Sequence, residues 1–318
     1  MRILVTGASG FVGGAFMRRF AGRGDLELHG VSRRSSDLPH YTQRDLSQPF
    51  NLPLQPDVVI HAAARASPWG SRREFERQNV ETTRNVIAFC VRHEVPRLVY
   101  ISSSSVFYRF ASQLGITEQS PIGPDFVNDY AATKYAGERL VSQYPGEHVI
   151  LRPRAVFGPG DTVLFPRILA AARARRLPLF TGLTEPVIGD LIYIDALSDY
   201  LLAAATGPPR APAYNLTNNQ PVVLQELLLR VLGELGMPVP VKRMNVHRAL
   251  RAASLLESVY RLLHIRAEPP ITRFGMSMFA HSKTFNVQLA LRDFGAPSVA
   301  LDEGIAQFVA WQRAQWAA

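Results

Sequence analysis

Cysteine is nearly absent: one residue, Cys90, in a chain of 318. A single thiol closes no internal disulfide, which excludes a disulfide scaffold and fits a reducing compartment. Cys90 lies in an apolar helical pattern with no paired base in view, so it reads as a buried structural thiol. No run of about 18 apolar residues occurs, which argues against a membrane-spanning helix. The opening Met1-Arg2-Ile3-Leu4-Val5-Thr6-Gly7 is too short an apolar stretch for a secretory leader, so a cytoplasmic protein is expected. Zinc spacings, an RNA-binding signature and basic runs interleaved with aromatics are also missing. Neither a metal nor a nucleic-acid partner is therefore expected.

What is present is a core-forming composition with an excess of positive charge. Hydrophobic residues make up 47% and charged residues 19%, enough for a sizeable core and too apolar for disorder. The net charge of +9 favours an anionic partner. Its arginines (Arg18, Arg19, Arg72, Arg73, Arg175 and Arg176 among them) are scattered along helical faces, which points to a small anionic substrate or a phosphate-bearing cofactor.

Strand-like runs at Arg2–Thr6, Leu26–Val31, Val58–His61, Arg97–Ser102 and His148–Arg152 alternate with helical patterns. The helices are expected over Phe11–Arg23, Arg72–His93 and Asp129–Tyr144. That rhythm implies βαβ units and an α/β, Rossmann-type doubly wound parallel sheet. Beyond Gly158 the rhythm changes. Helices are expected at Phe165–Arg176, Ile194–Thr206 and Leu224–Leu235, with strands at Val187–Tyr193 and Tyr214–Leu216. Proline joints fall at Pro208-Pro209 and Pro269-Pro270. We expect residues 1–160, with parts of 185–217, to form the dinucleotide-binding domain. Residues 161–184 and 218–318 are expected mainly to form a smaller substrate-binding cap, with the substrate in the crevice between. A helix over Asn245–Leu263, with Leu250, Ala253, Leu256 and Leu263 near one face, suits a cap helix better than a membrane-surface one.

Directly after the first strand comes Thr6-Gly7-Ala8-Ser9-Gly10-Phe11-Val12-Gly13. Its glycines are spaced three apart rather than as G-x-G-x-x-G, but the physics is shared. Glycines permit a tight turn and close backbone approach, and the following helix aims its N–H groups at a pyrophosphate. About twenty residues past the last glycine, an acidic residue would hold the ribose of NAD. Here Ser32, Arg33 and Arg34 stand instead, and guanidinium forks suit a phosphate, which favours NADP(H) over NAD(H). Asp45-Leu46 after the third strand offers an adenine contact. His61-Ala62-Ala63-Ala64 lets a dinucleotide lie against backbone.

Tyr130-Ala131-Ala132-Thr133-Lys134 carries the chemistry. Four apart on a helix, Tyr130 and Lys134 share a face. A nearby ammonium and a nicotinamide charge would lower the phenol, letting Tyr130 exchange a proton with a carbinol or carbonyl oxygen. A serine from Ser102-Ser103-Ser104-Ser105 at the fifth strand's end would hold that oxygen.

Together these features resemble the extended short-chain dehydrogenase/reductase superfamily over essentially the whole chain. Leu151-Arg152-Pro153, Gly158-Pro159-Gly160-Asp161, Tyr193-Ile194-Asp195 and Tyr214-Asn215-Leu216 come in the family's order. The resemblance implies a Rossmann fold, a bound nicotinamide dinucleotide and a homodimer packed through two helices per subunit. Asn79 matches the family's structural helix asparagine. The family's serine lies four residues before the second position of its Val-Tyr-Gly segment. That segment here is Val106-Phe107-Tyr108, so the resemblance implies Ser103, with Ser104 as the alternative. The cofactor contacts so read are Gly7, Ser9, Gly10, Phe11, Val12, Ser32, Arg33, Arg34, Asp45, Leu46, Ala62, Ala63, Ala64, Tyr130, Lys134 and Pro153.

Departures narrow the substrate. Sugar dehydratases carry Thr-Asp-Glu where this chain has Ser103-Ser104-Ser105, and epimerases place an asparagine where Arg154-Ala155-Val156-Phe157 has none. Pro68-Trp69-Gly70-Ser71, Arg152-Pro153-Arg154 and Glu268-Pro269-Pro270-Ile271-Thr272-Arg273-Phe274 are similar to the 3β-hydroxysteroid dehydrogenase-like branch, which includes 2-alkyl-3-oxoalkanoate reductases. That branch implies hydride transfer at a 3-hydroxy or 3-oxo carbon of a hydrophobic small-molecule substrate, carboxylate-bearing or steroid-like. Trp69, Phe107 and Phe126 are candidate pocket walls, and Arg154 a candidate partner for a carboxylate. Two other readings stay open: a nucleotide-sugar epimerase with tightly held NAD, and a non-enzymatic dinucleotide-binding regulator.

Overall fold

The computed structural model describes residues 1–208, 210–265 and 267–317. Pro209, half of one expected proline joint, lies outside them. Seven parallel strands make the central sheet: β1 (Arg2–Thr6), β2 (Glu27–Ser32), β3 (Tyr41–Gln43), β4 (Val58–His61), β5 (Arg97–Ile101), β6 (Glu147–Pro153) and β7 (Ala213–Leu216). Their order is β7-β6-β5-β4-β1-β2-β3. The winding reverses between β1 and β4, which pair with Thr6 opposite His61. A crevice at the carboxyl ends of strands is expected at such a reversal.

Both faces are covered, which is why the strands read as continuous apolar runs. On one face Phe16 and Met17 of helix Phe11–Phe20 pack with Leu197 and Leu201 of helix Ile194–Thr206. On the other, Val86, Phe89 and Cys90 of helix Thr82–Arg92 pack with Tyr100 and with Val141 of helix Asp129–Val141. Cys90 is fully buried, and burial pushes its thiol up to about 12, as suits a packing role.

The structure departs from the sequence expectation in three places that matter. The helix expected over Arg72–His93 is interrupted: Glu76–Glu81 winds as a wide π turn between Arg72–Phe75 and Thr82–Arg92. Such a turn re-aims side chains, here that of Asn79, whose carbonyl accepts from Thr82 N–H. The strand expected over Val187–Tyr193 is two short ones, Ile188–Gly189 and Ile192–Tyr193, in different small sheets. Asp190 lies between them and accepts the Phe285 amide at 2.8 Å. Phe107 is a core residue, fully buried beside Phe285, and not a pocket wall.

The distal part was less visible. Strand Lys283–Phe285 pairs with Gln113–Ile116. Helix Leu301–Ala317 buries Ile305 and Phe308 against Phe157, Phe165 and Tyr193. Helix Gln288–Phe294 returns to β7, where Tyr214 donates to Asp293 at 2.8 Å. Among the described residues, no helix is long and apolar enough to cross a membrane. In the expected helix, observed at Val246–Leu262, Val246, Ala249 and Ala253 are buried, and Tyr260 meets Trp69 edge-on at 6.2 Å.

One glycine sets how closely the Asp129–Val141 helix approaches β5. A Cβ on Gly137 would lie 2.1 Å from the Tyr100 hydroxyl oxygen. Gly137→Ala is expected to cost about 1–3 kcal/mol by overpacking and to lower the thermal midpoint by several degrees in calorimetry. An unchanged midpoint would show that this contact is not tight.

Candidate active site

The glycine turn is built so that no side chain stands between it and a ligand. Gly7 has φ +72°, and a Cβ there would fall 2.7 Å from the Ala63 nitrogen. At Gly13 a Cβ would meet the Gly7 carbonyl oxygen at 2.5 Å. The turn and the Ala62-Ala63 backbone are therefore in direct contact, forming a cradle that any side chain would fill. The cleft above it, about 340 Å³, is walled by Gly7, Ser9, Gly10, Ser32, Arg33, Arg34, Asp45, Leu46, Ala62, Ala63 and Ala64, all expected, and by Ser47, Arg65, Gln78 and Thr82. Arg65 and Gln78 were within reach of sequence reading, since they adjoin Ala64 and Asn79.

The end of β2 is held by local hydrogen bonds. The Ser32 hydroxyl lies 3.0 Å from Tyr41 Oη and bonds the Ser9 hydroxyl. Arg34 donates to the Ser9 carbonyl at 2.8 Å, and both Arg33 and Arg34 are exposed in the cleft. Burial would raise the Asp45 carboxyl, but hydrogen bonds from Ser47 and the charges of Arg33 and Arg77 carry it below its ordinary range. Of the five remaining expected contacts, Phe11 and Val12 open the helix behind the turn, Pro153 is buried at the end of β6, and Tyr130 and Lys134 stand on the Asp129–Val141 helix; none of the five is a wall of this cleft.

From the cradle a buried hydrogen-bond chain runs to the tyrosine helix. Ala63 N–H donates to Thr6 Oγ1 at 3.2 Å, and Thr6 Oγ1 lies 2.7 Å from His61 Nδ1. His61 Nε2 lies 3.0 Å from Thr83 Oγ1, whose hydroxyl donates to the Asn79 carbonyl at 2.6 Å. The Asn79 side chain donates to Thr133 Oγ1 at 3.0 Å and accepts from Arg65 N–H at 2.7 Å. Since Thr83 spends its proton on Asn79, His61 must carry hydrogen on Nε2, and Nδ1 then accepts from Thr6.

Tyr130 and Lys134 stand on the Asp129–Val141 helix, which is capped by Asn128 accepting from Ala131 N–H at 2.9 Å. Ser103 precedes the short turn Ser104–Phe107 and accepts from the Ser105 amide at 3.2 Å and hydroxyl at 2.9 Å. Its own proton is not committed to any partner among the described residues. Ser104 lies 3.2 Å from Tyr108 Oη. Burial raises the Tyr130 phenol, with Ser103 opposing. Burial draws Lys134 down to about 7, with Glu138 opposing. The expected lowering of Tyr130 by Lys134 is not seen in the protein alone. The ammonium instead lies 4.2 Å from the centre of the Tyr100 ring. Phe126 is half-buried beside Tyr135, and Trp69 half-buried beside Tyr260.

A model of the NAD dependent epimerase/dehydratase family matches residues 3–217. The chain belongs to that family. It is 35% identical to the 2-alkyl-3-oxoalkanoate reductase of Stenotrophomonas maltophilia, covering 96% of this chain and 97% of that protein. It is 28% identical to the decarboxylating sterol-4-alpha-carboxylate 3-dehydrogenase of Schizosaccharomyces pombe, covering 97% and 96%. The UDP-glucuronic acid 4-epimerase of Bacillus cereus, solved with NAD, shares the fold with a TM-score of 0.75 at 18% identity over 99% of this chain and 100% of that one. This member of the family is an NAD(P)-dependent dehydrogenase/reductase of the extended short-chain type.

The neutral ring at the centre of the chain gives a pH test. Burial first, and the Lys134 charge second, lower His61 to about 3 from an ordinary 6.5. Below pH 6.5 the unfolded chain takes up a proton that the native ring refuses. This contribution to stability is complete above 6.5 and is lost as pH falls toward 3. Imidazole NMR should show an Nε2–H ring unchanged from pH 8 to 5; a midpoint near 6.5 would refute the buried chain.

Proposed function

We propose that this enzyme is an NADP(H)-dependent ketoreductase acting at the 3-oxo or 3-hydroxy carbon of a hydrophobic substrate, carboxylate-bearing or steroid-like. The observation that carries this reading is the hydrogen-bonded frame that joins the glycine cradle to Thr133, on the helix that bears Tyr130 and Lys134, with Ser103 just past the end of β5. The two enzymes named above both act at a carbon numbered 3, one by reduction and one by oxidation, which supports the same reaction centre here. In keeping with the family resemblance, we further read the protein as a cytoplasmic homodimer with residues 161–184 and 218–318 forming most of the cap.

The residues fit the dinucleotide. Gly7, Gly10 and the Ala62–Ala64 backbone would take its pyrophosphate side, Asp45 and Leu46 the adenine, and Ser32, Arg33 and Arg34 a 2′-phosphate. The bound cofactor supplies the hydride in reduction and accepts it in oxidation. Tyr130, kept protonated by burial, gives its proton to the carbonyl oxygen. Ser103 holds that oxygen with the hydrogen its other bonds leave free. Lys134, whose ammonium has no hydrogen-bond partner among the described residues, is free to hold the ribose hydroxyls.

Turnover of 3-oxo acids, 3-hydroxysteroids and nucleotide sugars, followed at 340 nm with both cofactor pairs, tests the reading. NADPH consumption with a 3-oxo compound is expected. Conversion of a nucleotide sugar without net absorbance change would replace it with the epimerase. Tyr130→Phe is expected to lower kcat by about 10²–10⁴-fold while NADPH binding stays within about threefold. In the double variant Arg33→Ala/Arg34→Ala, the NADPH Kd should rise about 30-fold, as for one or two lost charge-assisted bonds, with NADH hardly changed. Equal losses for both cofactors would point to NAD(H).

A further inference from the structure

Two cations are buried beside the Ser103 turn with a single carboxylate near them. Arg154 is 3% exposed, Lys283 4% and Asp190 1%. They come from distant places: the residue after β6, the Lys283–Phe285 strand, and the turn between Ile188–Gly189 and Ile192–Tyr193. Both cations lie against one ring. The Arg154 guanidinium carbon is 5.4 Å, and Lys283 Nζ 5.6 Å, from the centre of Tyr108. The Tyr108 hydroxyl meets Ser104 next to Ser103, and Tyr108 is near enough to Tyr130 to influence its phenol.

Buried charges are normally paired. Arg152 obeys the rule, with two guanidinium nitrogens on Glu138 at 2.9 and 2.7 Å. Arg154, two residues on, does not. Its Nε is buried with no partner, and its side chain makes no hydrogen bond or ion pair with any described residue. Lys283 donates to the Ala111 carbonyl, and Asp190 already takes the Phe285 amide. Neither cation forms an ion pair with Asp190 among the described residues, and two positive charges against one negative leave one uncompensated. The backbone also holds Arg154 in place: Ala155 after it has a left-handed φ of 44°, a costly state for a residue with a Cβ.

We propose that Arg154, backed by Lys283, binds the substrate's carboxylate and makes the enzyme selective for 3-oxo or 3-hydroxy acids over neutral counterparts. This rests on the ketoreductase reading of the site. In such an acid the carboxylate is two bonds from the reacting carbon, so its partner must stand close to Ser103 and Tyr130, as the Tyr108-bridged pair does. A planar guanidinium grips a carboxylate through two parallel bonds, and exclusion of water strengthens the contact.

The test compares a 2-alkyl-3-hydroxy acid with its methyl ester, oxidised with NADP⁺ by the wild type, Arg154→Met, Arg154→Lys and Lys283→Met. The wild type should prefer the acid by about 100-fold in kcat/KM, as for a lost charged bidentate contact. Arg154→Met should lose that preference, chiefly through KM, with ester turnover within about threefold. Arg154→Lys, which keeps the charge, should retain part of it, and Lys283→Met should weaken it. Calorimetry of tetradecanoate and tetradecanol with the NADPH-loaded protein reads the subsite without chemistry. There the acid should bind much more tightly to wild type and no better than the alcohol to Arg154→Met. Equal binding of acid and alcohol by the wild type, or an acid preference surviving in Arg154→Met, overturns the proposal. Acid-selective binding without turnover of any 3-oxo or 3-hydroxy compound would uphold the subsite and overturn the ketoreductase reading.

Discussion

The buried hydrogen-bond chain through His61 is the constraint on which the site depends. It ties the end of β1 to the end of β4, β4 to the wide turn at Asn79, and that turn to Thr133 between Tyr130 and Lys134. Each member has one arrangement of protons that satisfies its neighbours, so a shift of one group leaves another unpaired in a dry interior. The chain therefore does for the proton donor what the missing Cβ of Gly7 does for the cofactor cradle. It fixes the separation between two halves of a site that come from distant parts of the sequence. A charged imidazole would need a second acceptor where Thr6 must donate, which is why burial and the frame agree on a neutral ring.

The same economy governs the charges. Glu138 is enclosed by Arg152 and the Ser102 hydroxyl, so its lone pairs are largely committed to structural partners. Lys134, one turn earlier on the helix, is thus left with the face of Tyr100 and with whatever the site brings to it. In the protein alone burial draws the amine down to about 7 and raises the phenol. A hydroxyl-rich ligand beside Lys134 changes that balance. In the mechanism proposed above, Tyr130 does not need a lowered phenol to act as the acid in reduction. It needs to be protonated, positioned, and paired with a serine able to hold the substrate's oxygen.

The parallel sheet was legible because fully covered strands are written as unbroken apolar runs, and the glycine turn because its spacing directly follows the first of them. Tyr130 and Lys134 were legible from their four-residue spacing. The preference for Ser103 over Ser104 came from the family resemblance, through position relative to Val106, and Ser104 is found bonded to Tyr108. Other features had no local signature. His61 alone reads as a structural histidine, and only the fold shows that it joins the two halves of the site. The wide turn at Asn79 looks like uninterrupted helix, since apolar spacing changes little across one extra residue. Lys283 sits in a three-residue strand whose partner is about 170 positions away, and such pairings leave no periodic trace.

That division of legibility follows the division of labour in the molecule. The dinucleotide half is recognised through backbone and small residues, so its requirements are strict and appear as motifs. The UDP-glucuronic acid 4-epimerase of Bacillus cereus shares the fold at 18% identity. In the proposed reading, substrate discrimination falls to the cap and to the residues just past the sheet, where side chains from separate segments meet. Arg154 stands at that boundary: its backbone belongs to the sheet's end, donating to the Leu216 carbonyl at 3.0 Å, while its guanidinium lies against Tyr108, as does Lys283 from the distal part of the chain. A change of side chain there alters what the site accepts without disturbing the sheet. A buried, unpartnered cation at such a position is costly for folding alone, and binding an anion is what offsets that cost.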